Sequence, residues 1–314
     1  MTNSEKKYRG FHLTQRANNI LSRTFSYLGL VFLSLIWIIP ILWIVLSAFR
    51  TEVNSDGDLI GIVVSNYFPT KLGFDNFVNL FTNTFYGVKY AFPLWMLNTL
   101  IIAVVDCIVS TFLVLSVAYC MSKLRFKLRK AFMNITMILG LFPGFMSMIA
   151  VYFLLKSIGL AGNTAESAYL NIIGLILAYS AGAGMGFQIA KGFFDVLPTS
   201  LVESAKLDGC SNFKIFLKII LPMSKPIIIY TALMSFTGPW MDFIFAKVIL
   251  GNDSDYWTVS VGLYNMMFGS QLSDTSVFTT FCAGCTCIGI PIVALFMALQ
   301  RYYVEGVTAG AVKG

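Results

Sequence analysis

Six stretches of about 20 or more largely apolar residues punctuate this chain, and that feature limits what it can become. Spanning the hydrocarbon core of a bilayer takes about 20 residues of helix. The stretches run over about 25–49, 95–121, 131–155, 169–189, 226–250 and 277–299. Between them too little polar surface is left to coat a soluble globule. Of the 314 residues 57% are hydrophobic and 12% are charged, and the mean hydropathy is +0.76, against roughly 25% charged residues in a soluble domain. The fold expected is all-α: a polytopic membrane protein of six transmembrane helices. Residues 1–24 form a polar N-terminal tail, 25–300 the six-span domain and 301–314 a C-terminal tail. The tail at 1–24 is too long and too polar for the charged region of a secretory leader, so the first apolar stretch reads as a retained span.

Charge placement sets the expected orientation. With both termini cytoplasmic, 17 of the 22 Lys and Arg fall on the inner side, including Lys123, Arg125, Lys127, Arg129 and Lys130 between the second and third spans. This asymmetry is the positive-inside pattern. It accounts for a net charge of +7 without nucleic acid as a partner, and it puts both termini on the cytoplasmic side. The outer segments, about 50–94, 156–168 and 251–276, carry acids such as Glu52, Asp75, Asp253 and Asp255, either as ordinary solvated loops or as contacts for a soluble partner.

Several chemistries are excluded by what is missing. His12 is the one histidine, which removes histidine-based catalysis and histidine metal sites. No phosphate-binding G-x-x-x-x-G-K-[ST], no G-x-S-x-G and no H-E-x-x-H occurs. ATP chemistry must therefore come from another polypeptide, and no catalytic or metal site is assigned. Gly182, Gly184 and Gly186 do not meet the dinucleotide fingerprint. They read as close helix packing or as a point where the fourth span unwinds. Cys282 and Cys285 are spaced C-x-x-C, without a second ligand pair.

The segment 193–222 is the most informative. Ser200 and Glu203 have capping-box spacing after Pro198, so a short helix is expected, ended by a left-handed Gly209. A second helix should start near Ser211 or Asn212, bury a stripe of Phe213, Phe216, Leu217 and Ile220, and stop at Pro222. On physical grounds alone the pair is either a plain interfacial amphipathic hairpin or a docking element.

Glu203-Ser204-Ala205, three residues, Gly209, nine residues and Ile219-Ile220-Leu221-Pro222 resemble the EAA loop of binding-protein-dependent ABC importer permeases at every position but Ser204, where the family has alanine. Ala118–Phe126 is similar to the family's end of the second span, and Trp240-Met241-Asp242-Phe243 to its Trp-Asn-Asp-Phe segment. The ending from Gln300 to Gly314 resembles MalG-type maltose and maltodextrin permease subunits. The resemblance covers nearly the whole chain. It implies a sugar-import permease that forms half of a translocation pathway. Its implied partners are a MalF-like second permease, two ATPase subunits that use ATP and Mg, an extracytoplasmic solute-binding protein, and membrane lipid. The chain itself binds no cofactor.

Carried onto this sequence, the resemblance assigns the ATPase-coupling contact to Glu203, Ser204, Ala205, Lys206, Asp208, Gly209, Leu221 and Pro222. It assigns a binding-protein contact loop to Gly251, Asn252, Asp253, Ser254, Asp255, Tyr256 and Trp257, although Tyr256 and Trp257 also suit an interfacial anchor. A tail contact between the ATPases falls to Gly306, Thr308 and Gly310. Gln188, Trp240 and Asp242 are candidates for lining the pathway. A carboxylate in mid-bilayer must face protein or water. Asp106 reads as a buried hydrogen-bond anchor, whereas Asp242 and Gln188 fit either role. The competing readings are an importer for another solute, such as another oligosaccharide or glycerol phosphate, and an ATP-independent secondary carrier. The carrier would be expected to show inverted repeats and paired intramembrane charges, neither of which is evident.

Overall fold

The computed structural model describes residues 15–53, 68–164, 167–269 and 277–308. It is helical almost throughout. Helix α1 (Gln15–Ala48) is followed by a short α2 (Asp75–Thr82) and a two-residue-per-strand hairpin, β1 (Thr84–Phe85) and β2 (Val88–Lys89). The long α3 (Ala91–Lys123) comes next, then α4 (Arg129–Leu139), α5 (Gly144–Ser157), α6 (Tyr169–Ala183), α7 (Gln188–Val196) and α8 (Thr199–Leu207). The chain continues through α9 (Asn212–Ile215), α10 (Leu221–Met223), α11 (Lys225–Met241), α12 (Ile244–Leu250), α13 (Val259–Phe268) and α14 (Val277–Thr308).

Three helices, within α1, α3 and α14, are long and apolar enough to cross a membrane unaided, and three bent helix pairs bring the candidate crossings to six. Among the described residues, three of the six expected spans are therefore bent helix pairs. The stretch at 131–155 is two helices, α4 and α5, meeting at 105°. Pro143 fixes its own φ at −58°, lacks an N–H, and disfavours helix at the residue before it. The expected fifth span ends at Met241, after Gly238 and Pro239, and its last third is the separate α12. Helix α1 also starts earlier than its apolar stretch, at Gln15.

Side chains on α1 from Leu21 to Leu42 are exposed, and the helix packs mainly on α14. An apolar surface of that length suits lipid or another membrane chain rather than water. The centre of the fold is α3, packed on α11, α6 and α7. Two separate apolar cores flank it. One, around Trp95, Ile102, Leu175, Ile249 and Met266, joins the first half of α3 to α12, α13 and α14. The other, around Leu115, Tyr119, Phe187, Phe194, Ile215 and Ile220, joins the second half of α3 to the α7–α11 hairpin region.

Buried polar groups fasten the first core. Asn76 Nδ2 donates to the Ala48 and Arg50 carbonyls at 3.0 and 2.6 Å, and Asn76 Oδ1 accepts from Thr279 Oγ1 at 2.8 Å. The end of α1, α2 and α14 are thus tied through one amide. Beside it, Glu52 accepts from the Thr70 backbone N–H and, at 2.7 Å, from Thr70 Oγ1, and lies 3.8 Å from Arg50. The Thr70 N–H holds this carboxyl below its ordinary 4.5, since hydrogen bonds to the charged form favour it.

Two outcomes follow from this packing. A Cβ at Gly262 would come within 2.1 Å of the Trp95 ring, so Gly262→Ala should lower stability by about 1–3 kcal/mol through overpacking. Gly29→Ala, with nothing within 4 Å, should be neutral or gain up to about 1 kcal/mol. Thermal unfolding of both variants in detergent checks the contrast. The Glu52 contact has a defined pH dependence. A carboxylate with a depressed folded pKa contributes stability that is complete above its unfolded value and is lost as pH falls through the folded one. Amide protection at Thr70, corrected for intrinsic exchange, should therefore hold above about pH 4.5 and fall as the medium is made more acidic. It should be insensitive to pH there in Glu52→Gln.

Candidate functional site

A cavity of about 470 Å³ lies between the two apolar cores, a volume within the range of about 300–1,000 Å³ common for small-molecule sites. Its polar lining comes from three helices: Asp106 of α3, Tyr179 of α6, and Tyr230, Thr231 and Ser235 of α11, with Asp242 just beyond. Asp106 sits halfway along α3, 4% exposed. Its Oδ1 accepts from Ser110 Oγ at 2.6 Å and Ser180 Oγ at 2.9 Å. Two hydroxyl donors offset the cost of a carboxyl group at this depth. Asp106 is thus the hydrogen-bond anchor between α3 and α6, and it also borders the cavity.

Asp242 closes the break between α11 and α12. Its carboxylate accepts from Tyr179 Oη at 2.6 Å and from the N–H groups of Phe245 and Ala246 at 3.3 and 3.0 Å. Those amides belong to the first turn of α12 and have no partner within their own helix. One side chain therefore caps a helix, holds α6 through Tyr179, and lines the cavity.

The other two sequence candidates for the pathway are not brought to this site. Gln188 is exposed at the start of α7, and Trp240 is 4% exposed within the first core; neither lines the cavity. The Trp240 ring lies 6.1 Å from that of Phe236, at the end of α11. Tyr179, Tyr230, Thr231 and Ser235 were missed. A signal for them existed, because Tyr230, Thr231, Met234, Ser235 and Gly238 recur on one face of an otherwise apolar helix. The glycine cluster bends the span: Gly184–Phe187 is a 3-10 turn and α6 and α7 meet at 42°. Within this chain a Cβ at Gly182, Gly184 or Gly186 would touch nothing within 4 Å.

The 193–222 segment forms two short helices bent at Gly209, whose φ is +76°. Cys210 N–H donates to Ala205 C=O and Gly209 N–H to Lys206 C=O, both at 3.0 Å, which is the glycine-terminated helix end in its two-bond form. Ser211 caps the second helix by accepting from Lys214 N–H at 3.3 Å. Two expectations need correction. Thr199 opens α8 and no side-chain cap forms there, so the Ser200–Glu203 capping box is absent. Pro222 does not stop the second helix, which runs through Met223 and breaks at Ser224. Instead Pro222 acts upstream. It offers no N–H to Lys218 C=O and its ring crowds that carbonyl, and Phe216–Ile220 widens into a π turn with Leu221 N–H bonded to Phe216 C=O. The buried stripe shifts accordingly to Ile215, Phe216 and Ile220, leaving Phe213 and Leu217 exposed.

The outward side of α8 carries Glu203, Ser204, Lys206, Leu207, Asp208 and Gly209, all exposed. Leu207 is 90% exposed and was absent from the sequence candidates. Val202 and Ala205 point inward into the second core, so Ala205 shapes the hairpin rather than presenting a contact. Leu221 is half-buried and Pro222 exposed.

The loop 251–257 is held down rather than projecting. Trp95 Nε1 donates to Ser254 C=O at 2.8 Å, and Asn98 Nδ2 donates to Asp255 and Trp257 C=O at 2.8 and 3.1 Å. Trp257 is 4% exposed, against Tyr86 and Trp95, with Lys247 Nζ 4.5 Å from its ring centroid. Its ring is therefore neither an interfacial anchor nor available to a partner. Asn252 and Asp255 are exposed; Gly251, Asp253, Ser254 and Tyr256 are half-buried. The rest of the expected outer loop contains the apolar α13, packed on α3 and α14. Gly306 and Thr308 lie in the last turns of α14, which runs past the expected helix end, and Gly310 falls outside the described residues.

Residues 110–308 match the model of a family described as binding-protein-dependent transport system inner membrane component. The chain is 35% identical to the galactooligosaccharides transport system permease protein GanQ of Bacillus subtilis, over 92% of this chain and 95% of that protein. It is 33% identical to the maltodextrin transport system permease protein MalD of Streptococcus pneumoniae, over 94% and 96%. Identity to the maltodextrin permease MdxG of Bacillus subtilis is 30%, over 94% and 98%. The fold is similar to that of a chain in the crystal structure of a bacterial ABC transporter involved in the import of the acidic polysaccharide alginate. That likeness has a TM-score of 0.72 at 20% identity and covers 93% of this chain and 99% of that one.

A β-branched residue at the hairpin bend tests the local geometry. Gly209→Val places a side chain at φ +76°, at a cost of about 1–2 kcal/mol. Amide exchange at Gly209 and Cys210 should speed up accordingly while exchange within α3 stays unchanged.

Proposed function

The chain belongs to the binding-protein-dependent transport system inner membrane components, and from that premise we propose that it is a permease subunit of an oligosaccharide ABC importer. It would form half of the translocation pathway and draw its energy from a separate ATPase. The observation that carries this reading is the match, nearly end to end, to oligosaccharide permeases at 30–35% identity. The maltodextrin type is our first choice of substrate, on the likeness to MalD and MdxG and on the C-terminal sequence. A galactooligosaccharide is the second, favoured by the 35% identity to GanQ.

Residue roles follow from placement. The exposed Glu203, Lys206, Leu207 and Asp208 of the hairpin suit a docking contact with a cytoplasmic ATPase: an apolar tip ringed by charges of both signs. The hairpin and both termini would then be cytoplasmic, as the Lys and Arg distribution requires. The cavity bordered by Asp106, Tyr179, Tyr230, Thr231, Ser235 and Asp242 is this subunit's side of the pathway, since hydroxyls, carboxylates and tyrosine rings are what a saccharide needs for hydrogen bonding and ring contact. Asn252 and Asp255 are the outer-loop residues best exposed to a solute-binding protein. The Gly306–Gly310 tail contact is retained as part of the proposal.

Reconstitution tests this. Liposomes holding this chain with a second permease and two ATPase subunits should take up maltotriose only with ATP and a binding protein, and this chain alone should take up none. Glu203→Lys should insert and assemble, yet lose most uptake. Uptake by the isolated chain, or normal uptake in Glu203→Lys, would refute the assignment. Galactobiose uptake in place of maltotriose would select the second substrate.

A further inference from the structure

Sequence order suggests that the hairpin is joined to the membrane through α7 and α11, which flank it. The contacts add a third helix. The last turn of α3 grips both feet of the hairpin. Ser122 Oγ donates to Asp195 Oδ1 at 2.6 Å, and Lys191 Nζ donates to Asp195 Oδ2, also at 2.6 Å. Lys123 Nζ donates to Leu197 C=O at 2.7 Å, two residues before α8 begins. On the other foot, Tyr119 Oη donates to Asn212 C=O at 3.2 Å, and the Tyr119 ring lies 5.1 Å from that of Phe216. Tyr119, Ser122 and Lys123 occupy i, i+3 and i+4, one face of one turn.

We infer that Tyr119, Ser122, Lys123 and Asp195 are positioning residues for energy coupling. They make α3 and the hairpin a single body, so that hairpin movement is delivered to the helix bearing Asp106. The inference rests on the proposed docking of the hairpin to an ATPase. Three arguments support it. Both attachments are to the two ends of the hairpin, so the hairpin cannot rotate about one of them alone. Two of the bonds are charge-assisted and short, the stronger kind. The second apolar core, with Tyr119, Phe194, Ile215 and Phe216 buried together, fills the space behind them, and packed cores shift as units rather than deform. Met121 and Ala118 on the same turns enter that core too, so the polar clamp and the apolar weld act on one helix end.

The test uses the full complex in liposomes. In a background with the native cysteines replaced, Ser122→Cys and Asp195→Cys are joined by a short bis-thiol reagent. The unlinked cysteine pair, which lacks the Ser122–Asp195 bond, should take up less solute than the parent, and the cross-link should restore uptake, because the two elements move together. Uptake abolished by the link and restored with a reducible version would show that they move apart, and would overturn the inference. As a second measurement, Lys123→Met with Asp195→Ala should still assemble, and should lower sugar transported per ATP hydrolysed by about tenfold, within the usual range of coupling between sites. An unchanged ratio would also overturn it. Should the double variant fail to assemble, the cross-link result decides alone. Failure of the underlying reading is recognised separately, by absence of ATP-dependent uptake in the parent complex before any cross-link.

Discussion

Inside a bilayer a helix can break only where something replaces the lost backbone hydrogen bonds, because no water is available to do so. This chain breaks its helices repeatedly, and side chains from neighbouring helices take up the orphaned groups. Asn76 receives nothing from α1 but donates to the carbonyls left open at its end. Asp242 accepts the free amides of α12. Thr99 Oγ1 accepts the Val259 N–H at the start of α13 at 2.8 Å, while Trp95 and Asn98 satisfy the carbonyls of the loop before it. Each repair is also a tertiary tie, so the same residues that permit a break determine what the broken ends pack against.

That economy explains which parts were legible in the sequence. Hydropathy reveals that 131–155 and 226–250 are apolar, but continuity is a matter of backbone, and the average over a window passes straight across Pro143 or Asp242. The signals were local. A proline after Leu141-Phe142, and an aspartate three residues after Pro239, mark places where a helix loses a donor or gains a cap. At the hairpin, the bend at Gly209 was legible because left-handed backbone has a residue type attached to it. The burial stripe on its second helix was legible only in part: Phe216 and Ile220 are buried as a period of 3.6 from Phe213 requires, whereas Phe213 and Leu217 are exposed and Ile215 is buried.

Site residues divide the same way. Glu203, Lys206 and Asp208 are surface groups singled out by the resemblance to the EAA loop, whereas Leu207 escaped because an exposed leucine leaves no mark in a one-dimensional pattern. In the cavity, Asp242 was visible as a charge in an apolar context. Tyr179 was not, since hydroxyl residues are common in membrane helices, and Tyr230, Thr231 and Ser235 left only their recurrence on one face of α11. They acquire meaning only once α6 and α11 are seen to turn the same polar face towards Asp106. Gln188 and Trp240 are close in sequence to cavity residues but do not line the cavity themselves.

The position of the cavity between two cores gives those polar groups a mechanical setting as well. One core holds the loops and α12–α14; the other holds the hairpin. Across the plane between them α6 passes through a 3-10 turn and α11 approaches its terminal Gly238-Pro239, whereas α3 passes unbroken. A tilt of one core against the other would thus be absorbed by α6 and α11 and resisted by α3, whose last turn is fixed to the hairpin and whose first half is fixed to the 251–259 loop. The Ser180–Asp106 and Tyr179–Asp242 bonds lie at the edge of the first core, and both carboxylates border the cavity. Any solute competing for those carboxylates would change the relative stability of the two arrangements. By linkage, a change in arrangement would change the affinity for the solute by the same factor.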